Sequence, residues 1–468
     1  MLRVSAVAEK AGFPSSSLVC EGFVGQAGTT SVGLGLPNLP VAMVPGHVDM
    51  QTDNELRDNV LGVTLGQVVS NLTEQPEAAR ASVEPGPEDI VFEGTFDEVN
   101  RLFYENRWSD GLPFVPPTPE KVDSFLAFTD LPPDHVLGQV PPDNRVATVR
   151  SVAANGVMAG CRPEYMPILV ALAEAMADPA YGVEHSGNTP GAETLVTLNG
   201  PLIRELGFNY EQGALRDGFM ANTTVGRFWR LYLRNVAGFL PHRTDKGTYG
   251  NTWRVVLAEN EDVLARIGWE PLASDFGFAA GENVVTISRY TGGDVVTSVY
   301  GQSPDRMLPY LADALVKQSG WQLVFTVGMA RGTYRPLLLL TPILAETIAK
   351  GGWSRSDLKR WLFDNARLPA SKFEAYMGEY TNLVPGRRTL AEMVKIGKAP
   401  PVFAESDDPD RPVPLVCEPD DILVAVTGDP LRTNAYVFAH NGMLGYPVAK
   451  RVELPAGWEE RLRAARSG

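Results

Sequence analysis

Three short stretches hold the residue types that act on small anions. In NGVMAGCRPEYMPILVALAEA, residues 155–175, Cys161 stands between a glycine and Arg162 at the mouth of an apolar segment. Tyr165, Ile168, Leu169, Leu172, Ala173 and Met176 fall on one face of a helix. If Pro163 opens that helix, Cys161 lies beside unpaired N–H groups and the positive dipole end, which lower a thiol's pKa and attract anions. If Pro167 opens it, the proline escapes an interior position and Cys161 sits in a loop, a small buried side chain at a tight turn. In LVTLNGPLIREL, a strand over 195–198 runs into Asn199-Gly200-Pro201 and a helix, a junction that presents backbone donors to phosphate or carboxylate. In GFMANTTVGRFWRLYLRNVAG, Asn222, Thr223 or Thr224 can cap a helix whose Val225, Phe228, Trp229, Tyr232 and Val236 are buried. Arg227 then sits in the first turn, placed to grip a carboxylate bidentately, while Arg230 and Arg234 read as a solvated face.

Other residues signal less. The run 40–44 ends in Pro-Gly and reads as a buried strand, which sets His47 and Asp49 just beyond a strand end. His185-Ser186 lacks a G-x-S-x-G elbow, and GLGLPN is half of a dinucleotide fingerprint with no third glycine. His242, Lys246, Asn251 and Glu259 gather around a glycine-rich loop, as a pocket or as plain surface. Cys417 reads as structural. The five histidines show no HxxxH or HxH spacing and the three cysteines no CxxC, so no metal ligand and no cofactor is assigned; a site assembled from distant residues stays open.

The elements that must position these groups follow from composition and pattern. At 468 residues the chain exceeds one hydrophobic core. Its net charge of -15 and the lack of basic runs exclude nucleic acid as a partner. Without a signal-like amino terminus or a run of about 20 apolar residues, a soluble cytoplasmic protein outside the membrane is expected, and three cysteines fit a reducing compartment. Residues 71–88 lose apolar periodicity and gain Pro and Glu. The pattern predicts a small α/β domain over 1–72, a linker over 73–90, a main domain over 91–300 and a carboxyl-terminal α/β domain over 301–468. Within these, a strand precedes a helix from Phe96, and LPFVPPTP after Trp108-Ser109-Asp110-Gly111 runs extended, lining a cleft or wrapping the surface. The apolar runs 321–328, in RPLLLLTP and in DDILVAVTGDP read as strands buried on both faces, which predicts mostly parallel sheets flanked by helices. ILAETIAKGGW and SRSDLKRWLFDNARL read as helices, the second capped by Ser354 or Ser356.

The runs NRWSDGLPFVPPTPEKV, ATVRSVAANGVMAGCRPEYMPILVALAEAM, LVTLNGPLIRELGFN, ANTTVGRFWRLYLRNVAG and ENEDVLARIGWEPL together resemble the UGSC family of (seleno)proteins, and residues 6–50 resemble the latter part of the small UGSC-like domain. The resemblance implies a redox-active or nucleophilic Sec or Cys in the name-giving tetrapeptide. No such tetrapeptide occurs in this chain, which points to a truncated UGSC-like domain fused to the large family domain. It also singles out Asn155, Cys161, Arg162, Glu164, Asn199, Asn222, Thr224 and Arg227. Relatives carry His-Pro where this chain has His47-Val48, and Pro-Glu-His-Ala within its TPILAE at 341–346, so Leu344 replaces a histidine. The reading that results is an enzyme, expected as a homo-oligomer, acting on a small carboxylate-bearing metabolite. Cys161 would serve as nucleophile or thiol acid/base, Glu164 or His47 would move protons, and Asn155, Arg162, Asn199, Gly200, Asn222, Thr224 and Arg227 would hold the substrate. Two alternatives stand beside it: a non-covalent lyase, hydratase or cyclase in the same pocket, and a non-catalytic partner subunit.

Overall fold

The computed structural model of the chain describes residues 2–74, 85–86, 88–251, 253, 255–381, 388–442 and 445–467. Most of the expected linker lies outside the described residues. The amino-terminal unit holds helix α1 (Leu2–Lys10), strand β1 (Ser17–Cys20), α2 (Val24–Gly33), β2 (Val41–Val44), α3 (Asp53–Asn59), a π-helical turn (Val60–Thr64) and α4 (Leu65–Thr73). Strands β1 and β2 pair in parallel, as two half-buried apolar runs joined by a helical crossover do. This unit docks on the larger part through close backbone approach. A Cβ on Gly33 would collide with the Pro142 carbonyl, Lys246 Nζ donates to the Gly22 carbonyl at 2.5 Å, and Arg3 pairs with Glu184 at 2.6 Å.

In the larger part, α5 (Phe96–Glu105) begins at Phe96 behind a Thr95 cap, but residues 89–95 form no strand. Helix α6 (Pro119–Leu126), the hairpin β3 (Val136–Val140) and β4 (Arg145–Thr148), α7 (Val149–Ala159) and α8 (Met166–Ala177) follow. Then come β5 (Glu193–Asn199), α9 (Leu202–Glu205), α10 (Met220–Asn235), β6 (Val256–Ala258), α11 (Glu261–Ile267) and β7 (Val284–Val296). Strands β8 (Leu337–Leu340), β9 (Arg367–Pro369), β10 (Pro412–Pro414), β11 (Leu423–Val426), β12 (Ala435–His440) and β13 (Val448–Arg451) complete the set. A seven-stranded sheet runs in the order β11-β8-β12-β7-β5-β6, with β13 also on β7. It is shared by strands from both sides of the division expected at residue 300.

The α/β class holds, with strand sense mixed where mostly parallel sheets were expected. Only β11 with β8 and β5 with β6 are parallel in this sheet; β12 and β13 with β7, β12 with β8, and β5 with β7 are antiparallel. The physical reason lies in how the second face is buried. Leu195, Leu257, Leu337, Leu339, Leu423, Ala425 and Phe438 form one core, whereas their strand neighbours Val196, Val256, Leu338 and Val424 join two separate cores under helices. Successive side chains alternate between faces, so the sheet curls around an apolar interior and packs helices outside. Continuous apolar runs report burial on both faces and carry no information on strand direction. The edge strands meet at their carboxyl ends: Asn260 N donates to the Val426 carbonyl at 2.7 Å, and Thr427 Oγ1 to the Ala258 carbonyl at 2.9 Å.

One further expectation changes and one holds. Trp321–Phe325, expected as a strand, is a 3-10 turn whose backbone bonds close locally, Leu323 N to the Gly320 carbonyl and Thr326 N to the Leu323 carbonyl, both at 3.0 Å. Ser354 caps the helix Arg355–Asn365 as expected, closing a capping box with Asp357. Among the described residues, no helix is long and apolar enough to cross a membrane.

Candidate functional site

The residues singled out by sequence separate into three places, with His47 alone in the amino-terminal unit. Around Cys161, Gly160 ends α7 in the left-handed conformation and Cys161 N donates back to the Gly156 carbonyl at 3.0 Å. Both prolines then find a use: Pro163 opens a 3-10 turn, Pro163–Tyr165, and Pro167 sits in the first turn of α8. Cys161 is therefore buried under α8 and α10. Burial pushes its thiol up to about 12, against smaller lowering from Thr224 and Arg227 beside it. Arg162 is paired with the buried Glu164 at 2.7 Å.

Arg227 is engaged as well. Its Nε and Nη2 donate to the Asp110 carboxylate, both at 2.9 Å, and Nη2 also reaches the Pro113 carbonyl at 2.9 Å. The Trp-Ser-Asp-Gly turn and its proline-rich extension thus wrap onto α10, and Phe114 packs against Phe103 with the rings tilted and centroids 4.5 Å apart. Helix α10 starts at Met220, earlier than a cap at Asn222 to Thr224 would have it. Asn222 lies inside the first turn instead, where its amide donates to the Asn209 and Val256 carbonyls and accepts from Asn209 N. Thr224 Oγ1 donates to the Met220 carbonyl, and Asn155 Oδ1 accepts from Asn235, tying α7 to α10. His47 is exposed in the amino-terminal unit and contacts Asp49 and Phe23. Leu344 is buried in an apolar core.

Asn199 and Gly200 lie elsewhere, at the carboxyl end of β5. Residues of the same parity, Asn199 on β5, Glu259 after β6 and Thr427 after β11, follow the concave face of the curled sheet and ring its mouth. Gly200 has φ +99°, and a Cβ there would strike Asn283, so only glycine makes this turn. Asn199 Nδ2 donates to Glu259 Oε2 at 2.7 Å and Glu261 Oε1 at 3.0 Å, while Gly200 N donates to Glu261 Oε1 at 2.7 Å. Glu259 also accepts from Leu272 N and Val426 N, which fastens the seam where the sheet edges meet. Burial raises its carboxyl to about 7, even against these donors.

Glu259 lines a cavity of about 630 Å³ together with Gly200, Tyr210, Glu261, Asp262, Trp269 and Glu270. One cation, Arg204, lines it too and is paired with Asp262. Asn199 is fully buried, and its Oδ1 has no hydrogen-bond partner among the described residues. A second cavity, about 430 Å³, lies toward the amino end of β5 and is lined by uncharged residues including Thr291, Gln318, Trp321 and Gln322. Neither is lined by Cys161 or Arg227. The sequence placed Glu259 around a glycine-rich loop, as a pocket or as plain surface. The available signal was an acid directly after an apolar strand, VVLAE, where open sheets place ligand contacts.

A family model, the UGSC family, matches residues 2–74, the amino-terminal unit. No curated protein and no solved structure matches the chain.

Proposed function

We propose that the chain is an enzyme whose larger part performs non-covalent proton-transfer chemistry, of the lyase, hydratase or cyclase kind, on a small metabolite in the cavity beside Glu259. The observation that carries this reading is a fully buried carboxyl that lines a cavity at strand carboxyl ends, where burial raises its proton affinity. Glu259 would give and take the proton, Asn199 would hold the carboxyl by its amide, and Glu261 would fix the Gly200 turn. The cavity walls carry four acids against one paired arginine, which favours a substrate presenting hydroxyl or amine groups there over one presenting a carboxylate. The reading sets the reaction in the cytoplasm, where three free cysteines persist, and treats the UGSC-like unit as fused to a larger family domain.

The test is proton NMR of the full chain in D2O with a panel of small polar metabolites. Wild type is expected to turn over or exchange at least one of them, with Glu259→Gln slower by about 100-fold or more and Cys161→Ala unchanged. Loss of activity in Cys161→Ala with Glu259→Gln intact would return the chemistry to the thiol. A non-catalytic partner subunit is the second reading, favoured by the three hydrogen bonds Glu259 already accepts as a seam fastener. Absence of turnover across the panel, with Glu259→Gln costing only stability, would select it.

A further inference from the structure

The second cavity, about 430 Å³, is built from parts of the chain that the Glu259 site does not use. Strand β7 contributes Thr291 and Gly292, the end of the helix Pro304–Gln318 and the turn behind it contribute Gln318, Trp321 and Gln322, and two loops contribute Thr189 and Thr248. These parts are fastened to one another. Lys246 N donates to the Gly187 carbonyl at 3.0 Å, and Thr248 N and Oγ1 both donate to the Thr189 carbonyl at 2.9 Å. Asn251 Nδ2 ties the loops to β7, donating to the Gly191 carbonyl at 2.9 Å and the Thr291 carbonyl at 3.1 Å. Gln322 is buried with its carboxamide fixed at both ends: Oε1 accepts from Gly320 N at 3.0 Å, and Nε2 donates to Thr291 Oγ1 at 2.9 Å. The cavity is therefore preformed, and its volume falls in the range of about 300–1,000 Å³ that small-molecule sites occupy.

Two consecutive glycines in β7 differ in why they stand there. Glycine weakens a strand interior and marks places where a backbone or a ligand comes close. At Gly293 an added Cβ would lie 2.3 Å from the Tyr436 ring, so packing requires it. At Gly292 the nearest atom is Gln318 Nε2 at 3.9 Å, an ordinary contact, and its φ is not in the left-handed region. Neither packing nor conformation asks for a glycine at 292. Its missing side chain leaves the open volume between the strand and Gln318.

The lining says what would fit. Among the described residues no charged side chain lines this cavity, so an ionic ligand would enter it without a counter-charge. The Gln318 carboxamide and Trp321 Nε1 have no hydrogen-bond partner among the described residues, and the Trp321 ring is held edge to face by Phe325 with centroids 5.5 Å apart. Trp321 is the one aromatic residue of the described lining, and hydroxyls and amides make up most of the rest. That arrangement suits a molecule with one apolar face and a rim of hydroxyls. A planar base, apolar on both faces, would have one of them unmatched. We propose that this cavity binds a neutral sugar ring, its C–H face against Trp321 and its hydroxyls toward Gln318 and the threonine hydroxyls. The proposal is independent of the chemistry assigned to Glu259.

The experiment is saturation-transfer NMR of the full chain with neutral hexopyranoses and N-acetylhexosamines. Glucuronic acid, glucosamine and glucose 6-phosphate serve as charged counterparts, and neutral nucleosides as planar competitors. At least one neutral sugar is expected to bind with a Kd of about 1 mM or tighter. Gln318→Ala, at a half-buried helix end, and Trp321→Leu, which keeps an apolar contact to Phe325, should each weaken it by about tenfold or more. Gly292→Ala puts a methyl group into the cavity without striking the protein and should weaken it too, with the circular dichroism spectrum unchanged. Binding of the methyl glycoside as well as the free sugar would assign the site to a glycosyl unit, and binding of the free sugar alone to a reducing monosaccharide; both support the proposal. Absence of transfer to every neutral sugar overturns it. So does tighter binding of a charged counterpart or a nucleoside, and so does sugar binding indifferent to both Gln318→Ala and Gly292→Ala, which would place the sugar elsewhere on the chain.

Discussion

Cys161 and Glu259 are both buried groups whose charged forms burial disfavours, and both stand where a helix meets another element. They differ in what lies beyond them. Cys161 sits outside the sheet, at the junction of α7 and α8, where Tyr165, Met166 and Val225 belong to the same closed core and Arg227 is held by Asp110. Glu259 follows β6 on the concave side, where the chain leaves the strands and cannot fill the mouth of the curled sheet, so a cavity remains. Burial alone makes a group inert; burial beside open volume makes it available with a shifted proton affinity. The comparison assigns the first condition to the thiol and the second to the carboxyl.

The largest effect that could break this comparison is at Arg227. If its guanidinium is a clamp for Asp110, Arg227→Met takes the cation away from a buried carboxylate, and the chain should lose about 4 kcal/mol, read by urea unfolding. A loss under about 1 kcal/mol would mean that Arg227 is available for a ligand and that the Cys161 corner is a site after all.

At Glu259 the effect depends on pH. Its carboxyl is raised from the ordinary 4.5 to about 7 in the folded chain. Below 4.5 the folded and unfolded chains both hold the proton. Between 4.5 and 7 the unfolded chain releases it and the folded chain keeps it, so the contribution to stability present below 4.5 is lost as pH rises through 7. That difference is worth on the order of 3 kcal/mol. Comparing wild type with Glu259→Gln across this window should show the variant losing less stability as pH rises. Parallel pH profiles would mean that Glu259 is ionised throughout and acts only as a fastener.

The separation of the two places was only partly legible in the sequence. Caps and periodicity placed the helices from Phe96 and after Ser354, and the strands in RPLLLLTP and DDILVAVTGDP, because those signals are local. The curl was not legible. Leu337 and Leu339 face the interior while Leu338 and Leu340 face helices, and a run of four leucines reads the same whether its second face meets helices or the far side of its own sheet. The partner of Arg227 was not legible for a similar reason. Its partner Asp110 lies 117 residues away, and a guanidinium's pattern in sequence does not say which carboxylate it will meet. Glu259 was visible as a residue type and invisible as a site, since its donors come from Asn199, Leu272 and Val426, on elements brought together only by closing the sheet.

The smallest expected effect tests the closed side of the comparison most directly. Cys161→Ala removes one sulfur from a well-packed corner, so the cost should be about 1 kcal/mol, the scale of a small core truncation. Its chemistry should be correspondingly quiet. With the thiol pushed up to about 12, the thiolate fraction at pH 8 is on the order of 10⁻⁴, and the thiol is buried beside Thr224 and Arg227. Iodoacetamide should leave Cys161 unlabelled in the folded chain and label it only after unfolding, which peptide mass spectrometry separates from Cys20 and Cys417. Rapid labelling of Cys161 in the native chain would show that this corner opens, and a group that opens to a reagent of that size can also meet a substrate. In that event the distinction between an enclosed thiol and an accessible carboxyl would have to be replaced by one between two accessible sites.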